Sequence, residues 1–248
     1  MADGAALCLE LGAGLLENGA ETSRVEETIR MAGSALGMEV EAMVHPTGIT
    51  VGFGNGDAVT RVARIKNRSI NLNKVAELNR LSRALHHSEI SLEDCRSCVR
   101  EVREAPGLYT RTHYMLATAA SCACLTVVVG GGLGEALLAV IAGCSGTRLL
   151  ELFGNNFPSF LSLFAVGFLS CCFGLVGGQA GFVSEAIVVG SLLHQMPGLA
   201  FVSAMRDLMA DELVAGNARL AEALLVTLGM ASGVLACLSL AFRLGVQG

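Results

Sequence analysis

The chain has 248 residues, of which 52% are hydrophobic and only 16% charged, and its mean hydropathy is +0.58; about a quarter of residues are charged in an ordinary soluble domain, so a wholly water-soluble protein is excluded. A formal net charge of −5 gives no basic footprint for a phosphate backbone and argues against nucleic acid as a partner. Residues 1–114 hold 13 of the 17 Lys and Arg and 15 of the 22 Asp and Glu, so the two halves of the chain are built for two solvents.

The opening stretch lacks the cationic n-region, unbroken apolar h-region and small-residue cleavage site of a secretory signal, which leaves the first half expected in the cytosol. Ala6, Leu7, Leu11 and Leu15 recur at near-helical spacing before Asn18-Gly19 ends the pattern. A second helix is predicted from a Ser23-x-x-Glu26 capping box to Leu36, ahead of Gly37. Three short strands follow, Val40–Val44, Ile49–Phe53 and Thr60–Ile65, bounded by turns at His45-Pro46-Thr47-Gly48 and Gly54-Asn55-Gly56-Asp57. Two more helices, from about Leu72 to Leu85 and from a Ser91/Asp94 capping box to Glu104, lead to Pro106-Gly107 and the membrane half. The fold class is therefore a small cytoplasmic α+β domain, residues 1–110, followed by an all-α membrane domain, residues 111–248, of about five transmembrane helices.

No stretch of the soluble half carries a complete reaction centre. Cys95-x-x-Cys98 with His86 and His87 upstream lacks a second Cys pair and falls within a charged amphipathic helix, so it reads as packing rather than zinc. His45 has no Ser, Cys or Asp arranged for a triad and reads as a turn or interdomain residue. The Gly52–Gly56 stretch has no Walker lysine and no helix directly after it, so nothing supports ATP-driven work. The chain is not expected to be an enzyme, and no motif calls for a cofactor or a metal. Nine cysteines are an odd number and six lie in apolar stretches, so free thiols are expected.

A bilayer core of about 30 Å needs roughly 20 apolar residues in helical form. Five windows qualify: Met115–Gly134, Ala136–Phe153, Ser159–Val176, Ala186–Met205 and Ala223–Phe242. The second contains Arg148 and Glu151; the fourth is interrupted by His194, Gln195 and Pro197-Gly198. With the first half inside, Arg103, Arg111, Arg148, Arg206 and Arg219 fall at cytoplasmic ends and an odd count of spans puts the C-terminus outside. Gly130/Gly134, Gly174/Gly178, Gly177/Gly181 and Gly229/Gly233 have the four-residue spacing of small-residue helix contacts.

Ionisable groups in a span are costly and mark functional positions by default. Arg148 and Glu151, three residues apart, are placed to neutralise each other. Glu185 and His194, nine residues apart, fall about 180° apart on a continuous helix and so face different neighbours. Gln179 and Gln195 add polar capacity, and Pro197-Gly198 frees backbone groups at a break of the kind transporters use to meet a ligand. Glu185, His194 and Asp207 are the candidate proton carriers. Arg148, Arg206 or the half-helix after Pro197-Gly198 are candidate anchors for an anionic substrate, with Gln179 beside them.

Gly19-Ala-Glu-Thr-Ser-Arg24-Val-Glu26, His45-Pro-Thr-Gly-Ile49, Arg64 followed by Ser69-Ile-Asn-Leu72, Lys74-Val and Leu78-Asn79-x-Leu-Ser82-Arg83, together with Pro197-Gly198, Arg206-Asp207-Leu208, Gly216 and Arg219, resemble in order and spacing the signature stretches of the threonine/serine exporter family over nearly the whole chain. The resemblance implies a multi-pass protein of a bacterial inner membrane that exports small hydrophilic metabolites, driven by the proton motive force. It further implies the larger subunit of a split pair, partnered by a second, smaller membrane protein or a further copy of itself. Split pairs of this family are associated with dicarboxylates such as succinate, long single chains with threonine and serine. Two rivals remain at this stage: a membrane-anchored enzyme, which needs a reaction centre the first 114 residues do not offer, and a sensor or scaffold without transport activity.

Overall fold

The computed structural model describes residues 2–54, 59–66, 69–154 and 157–245. In chain order these form α1 (Ala2–Glu17), α2 (Thr22–Ala35), β1 (Val40–His45), β2 (Gly48–Phe53), β3 (Val59–Arg64), α3 (Leu72–His86), α4 (Leu92–Glu104), α5 (Arg111–Val128), α6 (Leu133–Phe153), α7 (Ser159–Gln179), α8 (Ser184–Leu192), a 3-10 turn (Leu193–Gln195), α9 (Gly198–Met209) and α10 (Leu213–Arg243). Contacts divide the chain into two units, Met1–Pro106 with Phe201–Leu220, and Gly107–Ala200 with Ala221–Gly248.

In the first unit α1 is the hub. Leu7, Leu11, Leu15 and Leu16 are buried against Val25 and Ile29 of α2, Ile49 and Val51 of the sheet, Leu78 and Leu81 of α3, and Cys95 and Val99 of α4. The three strands make an antiparallel sheet in sequence order, with Val44 opposite Ile49 and Val51 opposite Arg61. The two-residue pleat sends Val44, Ile49 and Val51 inward. Met43, Thr50 and Val62, aligned across the strands, line the outer face. The His45–Gly48 turn joins β1 to β2 as expected; of the second expected turn only Gly54 lies within the described residues.

Two capping expectations come out differently. At Ser91 the hydroxyl accepts from the Asp94 amide at 3.2 Å and donates to the Asp94 carboxylate at 2.7 Å, opening α4 where predicted. The Ser23/Glu26 box does not form: the cap of α2 lies two residues earlier, at Glu21, with no side-chain cap bond. Glu26 instead accepts from the Val44 amide at 2.9 Å, tying α2 to β1; a long-range partner has displaced a local one. The CxxC cysteines lie on α4, where burial pushes the Cys95 thiol up to about 11, leaving a neutral thiol packed as a small hydrophobe.

The segment 201–220 belongs to the first unit through a buried ion pair. Arg219 Nε lies 3.2 Å from Asp207 Oδ2, with the two side chains 11% and 1% exposed. Thr22 Oγ1 donates to Asp207 Oδ1 at 3.4 Å, Arg219 also donates to the Ala20 carbonyl at 2.9 Å, and Arg206 pairs with Glu21. The α1–α2 corner, residues 20–22, is thus gripped by the end of α9 and the start of α10.

Helices α6, α7 and α10 are long and apolar enough to cross a membrane, and α8 to α9, bent by 53° at their break, make a fourth candidate if counted as one. The expected first window, Met115–Gly134, straddles an element boundary: α5 stops at Val128 and α6 begins at Leu133. Of the four glycine pairs, Gly130 and Gly181 adopt φ of +92° and +87° in turns, so their pairs do not line one helix face. The Gly229/Gly233 pair does line one face of α10, against the Phe160 and Phe164 carbonyls of α7, and Gly167 of α7 joins that close packing. A Cβ at Gly167 would run into the Met230 carbonyl, and one at Gly233 into the Phe164 carbonyl. Neither obstacle is a side chain that can swing aside.

Two outcomes follow from this packing. Gly167→Leu or Gly233→Leu forces α7 and α10 apart and should lower stability by about 1–3 kcal/mol or more, read as a lower thermal midpoint of the full chain in detergent; Gly107→Ala, where nothing lies within 4 Å, should leave it unchanged. Asp207→Asn or Arg219→Leu strands one buried charge and should cost about 3–5 kcal/mol, whereas Asp207→Leu combined with Arg219→Met should recover most of that loss. Equal midpoints for the single and paired variants would contradict the pairing.

Candidate functional site

The polar side chains of the second unit fall into those with partners and those without. Arg148 and Glu151 pair on one face of α6, Nη1 to Oε2 at 3.3 Å, and Arg111 at the start of α5 joins the same carboxylate oxygen at 2.5 Å. The expected pair is therefore a triad, and Arg148 also lines a shallow groove with Met115, Ser145 and Leu152. Glu135 is occupied too: it accepts from the Gly132 amide at 3.0 Å, capping α6, and from the Val183 amide at 3.2 Å, holding the entry to α8. Gln179 sits exposed at the end of α7.

Glu185 differs. It lies in the first turn of α8 and, among the described residues, has no hydrogen-bond or ion-pair partner. Its surroundings are a cleft of about 270 Å³ lined by Gly174 and Leu175 of α7, Val188 of α8, and Val234 and Leu238 of α10, with Ser184 as the other polar neighbour. The local sequence explains the placement. Gly174 lets α8 approach α7, since a Cβ there would strike Val188, and the polar Ser184-Glu185 pair follows the turn at Gly181.

At the other end of α8 the helix gives way to the Leu193–Gln195 turn, Met196 becomes extended at φ −60° and ψ 138°, and Pro197 supplies no amide. His194 Nδ1 lies 3.5 Å from the Cys122 thiol of α5, while its Nε2 is buried without a partner. Both polar atoms of the Gln195 carboxamide are likewise buried and unpartnered, as is the Ser170 hydroxyl of α7. These groups face bare backbone. A Cβ at Gly143 of α6 would lie 3.4 Å from His194 Cε1, and one at Gly146 would lie 3.3 Å from Gln195 Nε2 and 3.0 Å from Val166 of α7. Gly198 has nothing within 4 Å of the Cβ position; Pro197 and Gly198 serve the break itself.

Of the residues singled out from the sequence, Glu185, His194, Pro197 and Gly198 thus share one interrupted segment, with Glu185 facing α7 and α10 and His194 facing α5 and α6. Arg206 and Asp207 lie in the first unit, paired with Glu21 and Arg219. Sequence reasoning did not anticipate that both ends of the Gln195 carboxamide would be orphaned, nor that Cys122 and Gly143 would face His194 and Gly146 would face Gln195; the signal was two polar residues in an uncharged span. Chemically, the segment offers an exposed carboxylate on the lining of an apolar cleft, an imidazole nitrogen, and a carboxamide with donor and acceptor both unspent.

The chain matches the model of the ThrE family, threonine/serine exporter, over residues 6–241. It is 25% identical over 240 residues to a Klebsiella aerogenes protein and 26% identical over 245 residues to one from Escherichia coli K12, each named "Probable succinate transporter subunit YjjP"; the alignments cover 94% of this chain in both cases and 92% and 93% of the relatives. It is also 23% identical over 232 residues to pheromone-regulated membrane protein 10 of Pichia sorbitophila, covering 89% of this chain and 23% of that much longer protein. No solved structure matches. With apolar helices of spanning length, a polar interruption among them and a family match over nearly its full length, the chain belongs to the threonine/serine exporter family of multi-pass membrane transporters.

Proposed function

We propose that the chain is the larger subunit of a proton-motive-force-driven exporter of small hydrophilic metabolites, amino acids such as threonine and serine or dicarboxylates such as succinate, in a bacterial inner membrane. Residues 1–110 are the cytoplasmic part and residues 111–248 cross the bilayer five times, through α5, α6, α7, the α8–α9 pair and α10, leaving the C-terminus outside. Eighteen residues of α5 span about 27 Å, close to the thickness of the hydrocarbon core, and Arg111, His113 and Tyr114 suit its interfacial end. A second, smaller membrane subunit completes the transporter, in keeping with the printed names of the bacterial relatives.

One observation carries this reading: Glu185 is an ionisable group among apolar helices with a cleft before it and, among the described residues, no partner. A structural acid in that setting is paired, as Glu135 and Glu151 are. A carrier must instead bind and release, because coupling requires that proton and substrate affinities differ between inward and outward states. Inward movement of a proton on Glu185 drives outward movement of substrate bound at the break marked by His194, Pro197 and Gly198. Arg148, Gln179, Arg206 and Asp207 lie outside that centre: Arg148 and Gln179 border the route, and Arg206 and Asp207 hold the α9–α10 connection on the first unit.

The test is efflux of loaded threonine, serine and succinate under an imposed proton gradient, from cells lacking their own exporters and expressing the chain alone or with a small membrane partner. Gradient-driven efflux is expected only with the partner. Glu185→Gln, which fixes the neutral form, should cut it at least tenfold while sparing exchange of substrate for substrate. Efflux absent in every combination, with both proteins shown in the membrane, would replace the transporter with a sensor or scaffold; unchanged coupling in Glu185→Gln would remove Glu185 from the mechanism.

A further inference from the structure

Buried polar atoms in a folded protein are paired with few exceptions, and each exception calls for a cause. Among the described residues of the second unit, three of the four orphaned atoms, His194 Nε2, Gln195 Nε2 and Gln195 Oε1, sit on two consecutive residues, at the point where α8 stops being a helix. Packing alone does not explain them. Several hydroxyls of this unit are satisfied within their own helices, as Thr126 is on the Cys122 carbonyl at 2.7 Å and Ser191 on the Val188 carbonyl at 2.9 Å, the Ser170 hydroxyl being the exception among the buried orphans. An apolar side chain at position 195 would fill the space against Gly146 and Val166 without stranding any polar atom.

A carboxamide presents two N–H donors and a carbonyl acceptor side by side, and in Gln195 both ends are buried and unpartnered, with Nε2 toward Gly146, so whichever way the amide is turned it offers one donor end and one acceptor end. A carboxylate can only accept. It satisfies the amide nitrogen and sets its own lone pairs against Oε1. A hydroxyl or ammonium beside the carboxylate removes that conflict by donating to Oε1, and the second polar group of the substrate is left for His194 Nε2. A site with a committed, buried hydrogen-bonding group rejects an analogue that lacks the matching group far more strongly than an apolar pocket distinguishes sizes.

We infer that Gln195 is a specificity-determining residue of the transport site, reading a hydrogen-bond donor that lies next to a carboxylate, so that hydroxy- and amino-carboxylates are taken in preference to unsubstituted dicarboxylates. The inference rests on the transport reading above for the place of binding and adds the rule of selection. Gln195 is suited to the task by its position. The Leu193–Gln195 turn is followed by an extended residue and a proline, so the carboxamide sits at the interruption of the α8–α9 segment, against Gly146 and Val166.

The experiment uses the purified full chain in detergent and reads the thermal midpoint against ligand concentration for succinate, for L-malate, which differs from succinate by a single hydroxyl, and for L-serine. Malate should bind about tenfold more tightly than succinate, the factor that one buried, unpaired acceptor commands, and serine should also stabilise. Gln195→Leu, or Gln195→Met if the leucine variant folds poorly, should bring the malate-to-succinate ratio close to one. Succinate binding as tightly as malate, a ratio unchanged in the Gln195 variants, or no stabilisation by malate or serine would each overturn the inference. Because binding is read without transport, donor-dependent binding in a chain that exports nothing would overturn the transport reading and leave the selection rule standing.

Discussion

Helices that lie among hydrocarbon have no water to finish their hydrogen bonds and no hydrophobic drive to pull them together. Much in the second unit answers those two limits. Close approach comes from missing side chains: Gly167 and Gly233 bring α7 and α10 to backbone contact, and Gly190 lets α8 close on Thr126 of α5. Polar atoms are consumed locally, with Thr126, Ser191, Thr227 and Ser232 bonding back to carbonyls of their own helices. Charges are paired, Glu151 with two arginines, or spent on helix ends, as Glu135 is. Against that economy the groups left unsatisfied at His194 and Gln195, and the lone carboxylate of Glu185, stand apart, and all three belong to one segment of about a dozen residues.

Much of this architecture was legible in the sequence because its causes are local. Strand alternation, the Pro46-Thr47 connection, the Ser91 cap and the long apolar windows of α6, α7 and α10 are each fixed by a handful of neighbouring residues. What was not legible depends on partners far along the chain. Glu26 has the spacing of a capping box, yet its carboxylate goes to Val44 of β1, an alternative no local pattern reveals. Gly130 and Gly181 have the spacing of packing motifs, but each sits where a helix ends, and a positive φ uses the glycine for the turn instead. In the candidate site the break was visible through Pro197-Gly198 and the two polar residues before it. The placing of Gly143 against His194 and of Gly146 against Gln195 was not, because glycine spacing on α6 says nothing of what faces it.

The first unit shows the same dependence at longer range. The stretch from Gly19 to Glu26 and the stretch from Arg206 to Arg219 look like separate signatures when read along the chain. In the structure they are two halves of one network, with Ala20, Glu21 and Thr22 receiving Arg219, Arg206 and Asp207. A buried pair of this kind contributes little net stability compared with apolar residues of the same size, but it is strongly directional. Its value is to specify one seating for the α9–α10 connection. Asp207 is therefore poorly placed to shuttle protons during each cycle: its Oδ1 is held by Thr22 and its charge by Arg219, so releasing it would undo the seating.

Separating the proton-binding group from the substrate-reading groups sets a condition on how the proposed exporter would work. Glu185 faces α7 and α10, His194 and Gln195 face α5 and α6, and they lie at opposite ends of the nine-residue α8. Direct electrostatics between them is weak at that separation, so protonation has to act through a body that moves. Helix α8 is built as such a body. Val188 and Ile187 interlock with Gly174 and Gly177 of α7, and Gly190 interlocks with Thr126 of α5, so α8 is wedged on both sides and held as one body. On the proposed reading, the short helix and the break after it form the element that couples Glu185 at one end to His194 and Gln195 at the other.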